Sequence, residues 1–526
     1  MNFRYPTVNI PTRSLVVADL GADRIDGQIA ACVLQGIVNR TGEEKVYVVN
    51  TYCRDNRGGG QKQARTAEGF LADLYADIPV QRLAASRRTA WPTLMSLLDR
   101  FPAAAKGLVV WDPKLEQATI EAATTIAGQT DSIAVSPEIA EALAGRHLPV
   151  TADLRANAFA DNLACLQWLK EHWFAGANKK VAFTWSHITT DEQSWGAANK
   201  DFVAAHRLFT FHLDVRDPEQ RKHYADILTE YPRATPVMGW ADENFFDPLL
   251  RYLGYYMVPY IGVENLTVHS SFPPTTAAPP QPRALEVRGD EAFIAIQVPD
   301  GDNLLHTFLY EPDIMRDKTE LNRIPLTWVI NPAIVDLAPR LFHWYRSNLG
   351  AGQELAAQIG DGHVSSERYG GFMAYCDIIR DYMKRAGMLT LKHMAEAEAV
   401  AANVQTYVVN GGYAGYRPRD ERGLEPNEEH FTGETFVVGT LSLPMHGLDY
   451  IRRAVRSTPK GRPFFLCLFP GTAINTSLAA VNALADALRA GEKDDGRRYV
   501  FARTMDLAAT YRKWKGMPVM PSELIV

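Results

Sequence analysis

The sequence predicts an α/β protein, with N-terminal α/β regions followed by a C-terminal (β/α) barrel-like domain of seven or eight strands. Three observations predict it. Short apolar runs rich in β-branched residues alternate with helix-like segments along the 526 residues, the pattern of parallel βαβ units. A chain this long exceeds one hydrophobic core, so more than one domain is expected. One stretch, Phe272-Pro273-Pro274-Thr275-Thr276-Ala277-Ala278-Pro279-Pro280-Gln281-Pro282, favours extended backbone and forbids helix or central strand, which puts the main boundary there. The resulting division is an α/β subdomain over 1–150, a second over 151–272, a Pro-rich linker over 273–283 and the barrel-like domain over 284–526.

The elements follow in order. A strand at Leu15-Val16-Val17 leads into a helix from about Asp26, its expected N-cap, with Ile29, Val33 and Ile37 on one face. The strand Val46–Val49 completes a βαβ unit. The alternation continues through Leu108–Trp111, Ile133–Val135, Val181–Thr184 and Phe209–Phe211, with a helix at Asn162–Trp173. Beyond the linker, strand-like runs recur at Phe293–Val298, Ile324–Ile330, Ala356–Ile359, Met388–Leu391, Thr406–Val409, Phe436–Thr440, Phe464–Phe469 and Tyr499–Ala502. Helices are expected at Ile334–Ser347 and Phe372–Ala386. Repeats of this kind fit a (β/α) barrel.

Composition narrows the function classes. Hydrophobic residues at 46% and charged residues at 22% are ordinary for a soluble globular protein. A net charge of −6 with no basic block argues against a nucleic-acid partner. Cys32, Cys53, Cys165, Cys376 and Cys467 have no paired spacing, which argues against a zinc cluster and a disulfide framework. No apolar run has membrane-spanning length, so no membrane partner is expected. The start, Met1-Asn2-Phe3-Arg4-Tyr5-Pro6, has no apolar signal core; a cytoplasmic location is expected, with secretion after loss of a leader left open. Asp19-Leu20-Gly21-Ala22-Asp23 lacks the glycine spacing that cradles phosphates. No cofactor is expected, and the oligomeric state is not legible.

The chemistry concentrates at strand ends. Asp300-Gly301-Asp302-Asn303 follows the apolar run Phe293–Val298. In extended chain the two carboxylates would point to one side, roughly 7 Å apart, with Gly301 free to bend. The alternative is a polar turn, since Asp, Gly and Asn are also turn residues. Other strand-like runs end in Asn331-Pro332, Gly360-Asp361-Gly362-His363, Asn410-Gly411-Gly412, Met445-His446-Gly447 and Pro470-Gly471-Thr472. Barrel active sites lie at this edge. In the N-terminal part, Gly239-Trp240-Ala241-Asp242 and Glu264-Asn265 combine an aromatic ring with acids and amides. A ring can stack on a pyranose face while amides bond its hydroxyls; the plainer reading is a core Trp and helix-capping acids.

These residues resemble a known family. Asp300-Gly301-Asp302-Asn303-Leu304, then Thr327-Trp328-Val329-Ile330-Asn331-Pro332-Ala333, with the early Leu34-Gln35-Gly36-Ile37-Val38-Asn39-Arg40, are similar to the GxGYxYP glycoside hydrolases. The naming motif departs. At Gly360-Asp361-Gly362-His363-Val364-Ser365-Ser366 both glycines stand, while His363, Ser365 and Ser366 replace Tyr, Tyr and Pro. The resemblance implies a carbohydrate substrate and hydrolysis of a glycosidic bond.

Glycoside cleavage needs two carboxyl groups, about 5 Å apart for retention or about 6.5–9.5 Å for inversion. Asp300 or Asp302 supplies one in this reading and Asp361 the other, with Glu264 in reserve. The expected substrate-binding set is Asn303, His306, Trp328, Asn331, His363, Trp240, Glu264, Asn265, Asn410 and His446. The N-terminal part is expected to lend Trp240, Glu264 and Asn265 to the same cleft as Asp302. Two alternatives stand beside this one. In the first, Asp300, Asp302, His306, His363 and His446 hold a metal for ester or acetyl hydrolysis. In the second, the protein binds carbohydrate without turning it over.

Overall fold

The computed structural model describes residues 3–51, 67–84, 89–185, 197, 199–260, 262–298, 300–360, 370–393, 397–404, 406–411, 418–420, 423–424, 429–471 and 476–520. The chain is a mixed α/β protein of two compact units. One comprises Arg4–Pro274 with Asp336–Trp344; the other comprises Thr275–Val335 and Tyr345–Val526, with Met1–Phe3. The division at Pro274 falls inside the Pro-rich stretch, which forms neither helix nor strand. That stretch is tied down all the same. Thr275 N–H donates to the Val335 carbonyl at 3.1 Å and Ala277 N–H to that of Arg385 at 2.8 Å. Among the described residues no helix is long and apolar enough to cross a membrane.

The N-terminal unit is built on three parallel sheets. In the first, β1 (Ser14–Asp19) lies between β2 (Glu44–Val49) and β3 (Val80–Arg82). In the second, β4 (Leu108–Val110) lies between β5 (Ile133–Val135) and β6 (Val150–Asp153). The third joins β7 (Asn178–Trp185), β8 (Leu208–Phe211), β9 (Pro236–Trp240) and β10 (Tyr256–Pro259) in the order β10-β9-β7-β8.

The helix Ile25–Thr41 is the hub of this unit and is buried almost all round. Its N-cap is Arg24, not Asp26. The Asp26 carboxylate instead accepts from Trp91 Nε1 at 2.8 Å and Ser136 Oγ at 2.8 Å, because it lies inside the unit where those donors need a partner. Asp23 caps a neighbour, accepting from the backbone of Thr93 and Leu94 at the start of the helix Pro92–Arg100.

The Leu34–Arg40 motif now has a physical account. A Cβ on Gly36 would sit 2.2 Å from the Asp201 carbonyl oxygen, so only glycine lets the helix Lys200–His206 approach so closely. Strand β2 is the edge of its sheet. Asn39 serves that edge as a neighbouring strand would: its Nδ2 donates to the Val46 carbonyl at 2.9 Å and its Oδ1 accepts from Val46 N–H at 2.7 Å. Asn265 repeats the arrangement at Val48, at 2.9 and 2.7 Å, and its Oδ1 also accepts from Gln35. Arg40 reaches the Gly128 and Ala204 carbonyls and pairs with Asp131.

The C-terminal unit carries one large sheet. Its strands are β11 (Glu291–Val298), β12 (Leu326–Ile330), β13 (Gln353–Ala357), β14 (Thr390–His393) and β15 (Val408–Gly411). After a separate antiparallel pair, β16 (Pro418–Asp420) and β17 (Gly423–Leu424), come β18 (His430–Thr432), β19 (Thr435–Val438), β20 (Thr440–Ser442), β21 (Phe464–Phe469) and β22 (Arg498–Phe501). The order is β18-β19-β15-β14-β13-β12-β11-β21-β20, with β22 also paired to β11. Every pairing in this sheet is parallel except β18 with β19. Only Gly439 separates β19, which pairs with β15, from β20, which pairs with β21.

The run expected at 436–440 is two strands, β19 and β20, broken at Gly439, and three other strands lie displaced from the runs expected for them. The run at 356–359 belongs to β13, which begins at Gln353. The runs at 388–391 and 406–409 belong to β14 and β15, which extend to His393 and Gly411. Apolar pattern marks burial in hydrocarbon, whereas these strands continue through buried polar residues, Lys392, His393 and Asn410. On the apolar side, Phe293 stacks on Phe465 at 5.1 Å between centroids, and Tyr511 packs edge-on to Phe465. Burial of each ring stabilises the unit by roughly 1.5–3 kcal/mol.

Candidate active site

The site begins at the turn after β11. Asn303 N–H donates to the Asp300 carbonyl at 3.1 Å, closing a β-turn. The extended geometry expected for Asp300 and Asp302 is therefore replaced by a turn. Gly301 also has a different role from the one expected. It is Asp300 that takes the left-handed conformation, at φ 75°. Gly301 is required by proximity: a Cβ there would lie 2.2 Å from the Val329 carbonyl oxygen and 2.5 Å from Ile330 N. A non-glycine residue at positive φ is uncommon and costs energy that surrounding structure must offset.

The surrounding structure is visible. Asn303 Oδ1 accepts from Leu305 N–H at 2.9 Å and so starts the following helix. That helix is wound as a π-helix over His306–Tyr310, a distortion frequent at functional sites. Asn331 holds the turn from the next strand, donating to the Asp302 carbonyl at 3.4 Å while its Oδ1 accepts from Ala333 N–H at 3.0 Å. Trp328 is fully buried on β12, its indole N–H donating to Gln353 at 3.0 Å.

Two charged residues that the sequence reading passed over join the turn. Glu311, one helical turn past His306, is fully buried. Lys392, near the end of β14, is buried as well, with its ammonium 4.7 Å from the centroid of Phe469 at the end of β21. Burial pulls the Lys392 ammonium below the usual lysine range, and the charges of Asp300, Asp302 and Glu311 act against that. Burial pushes Glu311 well above the usual carboxyl range, with Asp300 and Asp302 adding to the rise.

Tyr345 Oη lies 2.6 Å from the Thr307 carbonyl and 3.2 Å from Glu311 Oε2; its hydroxyl, donating toward the carboxylate, works against the rise that burial imposes. His306 Nδ1 stands 3.7 Å from Asp300 Oδ2, and burial lowers the imidazole against the pull of Asp300. Further inside the sheet, Glu354 accepts from Thr327 Oγ1 at 2.8 Å and Met505 N–H at 3.1 Å, and burial pushes it up to about 7.

The other expected residues are placed as follows. Asn410 is buried on β15, in register with Lys392 on β14. Asp361 and His363 lie outside the described residues, as does the side chain of His446. Among the described residues no three His, Cys, Asp or Glu side chains group as metal ligands. In the N-terminal unit, Trp240 at the end of β9 is half-buried against that unit's core. Glu264 is buried, accepts from Thr51 N–H at 3.2 Å and from the Thr51 hydroxyl, and is pushed up by burial to about 8. Asn265 spends its amide on β2.

The residues missed had a signal. The run Met388–Leu391 ends in Lys392-His393, polar residues at a strand end like those that mark the Asp300 turn. Glu311 had none, because twelve residues of helix and turn separate it from β11.

Fold and site together describe an α/β protein with an acidic strand-end site around a buried lysine. The comparisons with known proteins bear on the fold and the family. Residues 105–177 match the family model described as the GxGYxYP_N second domain. Residues 290–428 match that of the "GxGYxYP putative glycoside hydrolase C-terminal domain". The chain therefore resembles this family. The crystal structure of a "putative hydrolase" from Bacteroides thetaiotaomicron VPI-5482 is similar with a TM-score of 0.74, 17% identity, and coverage of 99% of this chain and 98% of that one. At that identity the likeness is one of fold. No curated protein matches the chain.

Proposed function

We propose that this protein hydrolyses a glycosidic bond at the strand-end edge of its C-terminal unit. The observation that carries the reading is the gathering of Asp300, Asp302 and Glu311 around Lys392 within the region matched by the glycoside hydrolase model. We infer also that the large sheet closes as a barrel. The run through β19, Gly439 and β20 serves both β15 and β21, which supports closure, and barrel sites lie at the C-terminal ends of strands.

In this mechanism Asp302 is the ionised carboxylate that attacks the anomeric carbon or activates water. Lys392 is its counter-charge. Asp361, after β13, is the acid that protonates the leaving oxygen. Glu311, pushed toward its neutral form by burial, limits the negative charge around Lys392. Asp302→Asn should lower hydrolysis of a chromogenic glycoside by about 10³-fold or more, in the range of loss for a catalytic group, without unfolding the protein. Asp361→Asn should recover on 2,4-dinitrophenyl glycosides, whose leaving group needs no proton, whereas Asp302→Asn should not. Full activity of Asp302→Asn on a substrate the wild type cleaves would refute the assignment.

A further inference from the structure

Several buried polar atoms at this strand-end edge have no hydrogen-bond partner among the described residues. Among them are both amide atoms of Asn410, Glu311 Oε1, Gln358 Oε1 and His306 Nδ1. Asn410 is the extreme case: fully buried, with donor and acceptor both unmet. Buried polar groups are almost always paired, and an orphan calls for an explanation. Its neighbours across the sheet are Lys392 on β14 and Val438 on β19. Paired residues of adjacent strands face the same side, so the amide stands beside the lysine around which Asp300, Asp302 and Glu311 gather. The valine offers nothing to bond.

We propose that Asn410 is a substrate-positioning residue that binds a pair of adjacent sugar hydroxyls next to the Asp302–Lys392 charges. The inference rests on the carbohydrate reading above and deepens it. An amide presents one acceptor and a two-hydrogen donor side by side. Vicinal hydroxyls match it, since each can donate and accept. Water could meet the same atoms, but a sugar would displace it and gain orientation at the reacting carbon.

The experiment measures melting temperature for wild type and Asn410→Leu, without sugar and with D-glucose, D-galactose, D-mannose, D-xylose or L-arabinose at millimolar concentration. Leu fills the same space with no unmet polar atom, so the variant should melt a few degrees above wild type. At least one sugar should raise the wild-type melting temperature and leave the variant unmoved. A variant that melts below wild type would mean that the amide is satisfied within the protein, and the inference would be wrong. A sugar-dependent shift equal in both, or none in wild type, overturns it as well. Hydrolysis lost in Asp302→Asn but kept at unchanged KM in Asn410→Leu would remove Asn410 and leave the hydrolase intact. Sugar binding lost in Asn410→Leu, in a protein that cleaves no glycoside, would keep Asn410 and remove hydrolysis.

Discussion

Replacing Glu264 by Gln should change how stability depends on pH, by an amount the structure allows to be worked. Glu264 titrates near 8 in the folded protein against an ordinary 4.5, with burial as the main cause. The folded value is the higher one, so the folded state holds the proton longer. The group's contribution is fully present below about 4.5 and is lost as pH rises through about 8. Each unit of separation is worth about 1.4 kcal/mol, so between pH 5 and 7 the wild type should lose roughly 3 kcal/mol. At about 2–4 °C per kcal/mol that is roughly 6–12 °C of melting temperature. Gln keeps an oxygen for the two Thr51 donors and cannot ionise. Thermal unfolding of both proteins from pH 5 to 9 tests this. The difference between them should widen up to about pH 8 and level off above it, with Gln the more stable. Parallel profiles would refute the reasoning, because Glu264 would then be ionised throughout the range.

Two further substitutions follow from close approach and from the sheet edge. Gly301→Ala places a methyl group against the backbone of Val329 and Ile330; it should cost about 1–3 kcal/mol, as overpacking does, and displace the carboxylates, read as a lower melting temperature with a large loss of kcat. An unchanged melting temperature would show that the turn has room to spare. Asn39→Leu strips Val46 of both side-chain hydrogen bonds and should destabilise by roughly 2–6 kcal/mol, counting about 1–3 for each of the two buried groups left unpaired; hydrogen exchange at the Val46 amide should rise with it, and unchanged protection there would count against the bond.

Local pattern carried much of the architecture. Apolar β-branched runs marked β1, β2, β4, β5, β8, β11, β12 and β21, because those strands are buried in hydrocarbon. The same signal stopped short at β14 and β15, where the chain continues as strand through Lys392 and Asn410. Asp300 and Asp302 were legible as a pair, since acids beside glycine after a strand are visible in any window. Their geometry was not: a carbonyl on β12, distant in sequence, decides that residue 301 must be glycine. Glu311 was illegible for a related reason. Its role comes from Tyr345 and Lys392, which no local window connects to it. Asn39 and Asn265 show the converse, for amides suited to sugar recognition are also suited to bonding backbone.

Those two asparagines have a consequence for how the protein behaves in company. An unpaired strand edge is a template on which another chain can crystallise its own strand, the first step toward fibres or swapped dimers. Along β2 the N–H and C=O of Val46 and Val48 are already taken by side chains that cannot propagate a ladder. The first sheet thus ends at that border in two amides instead of an invitation.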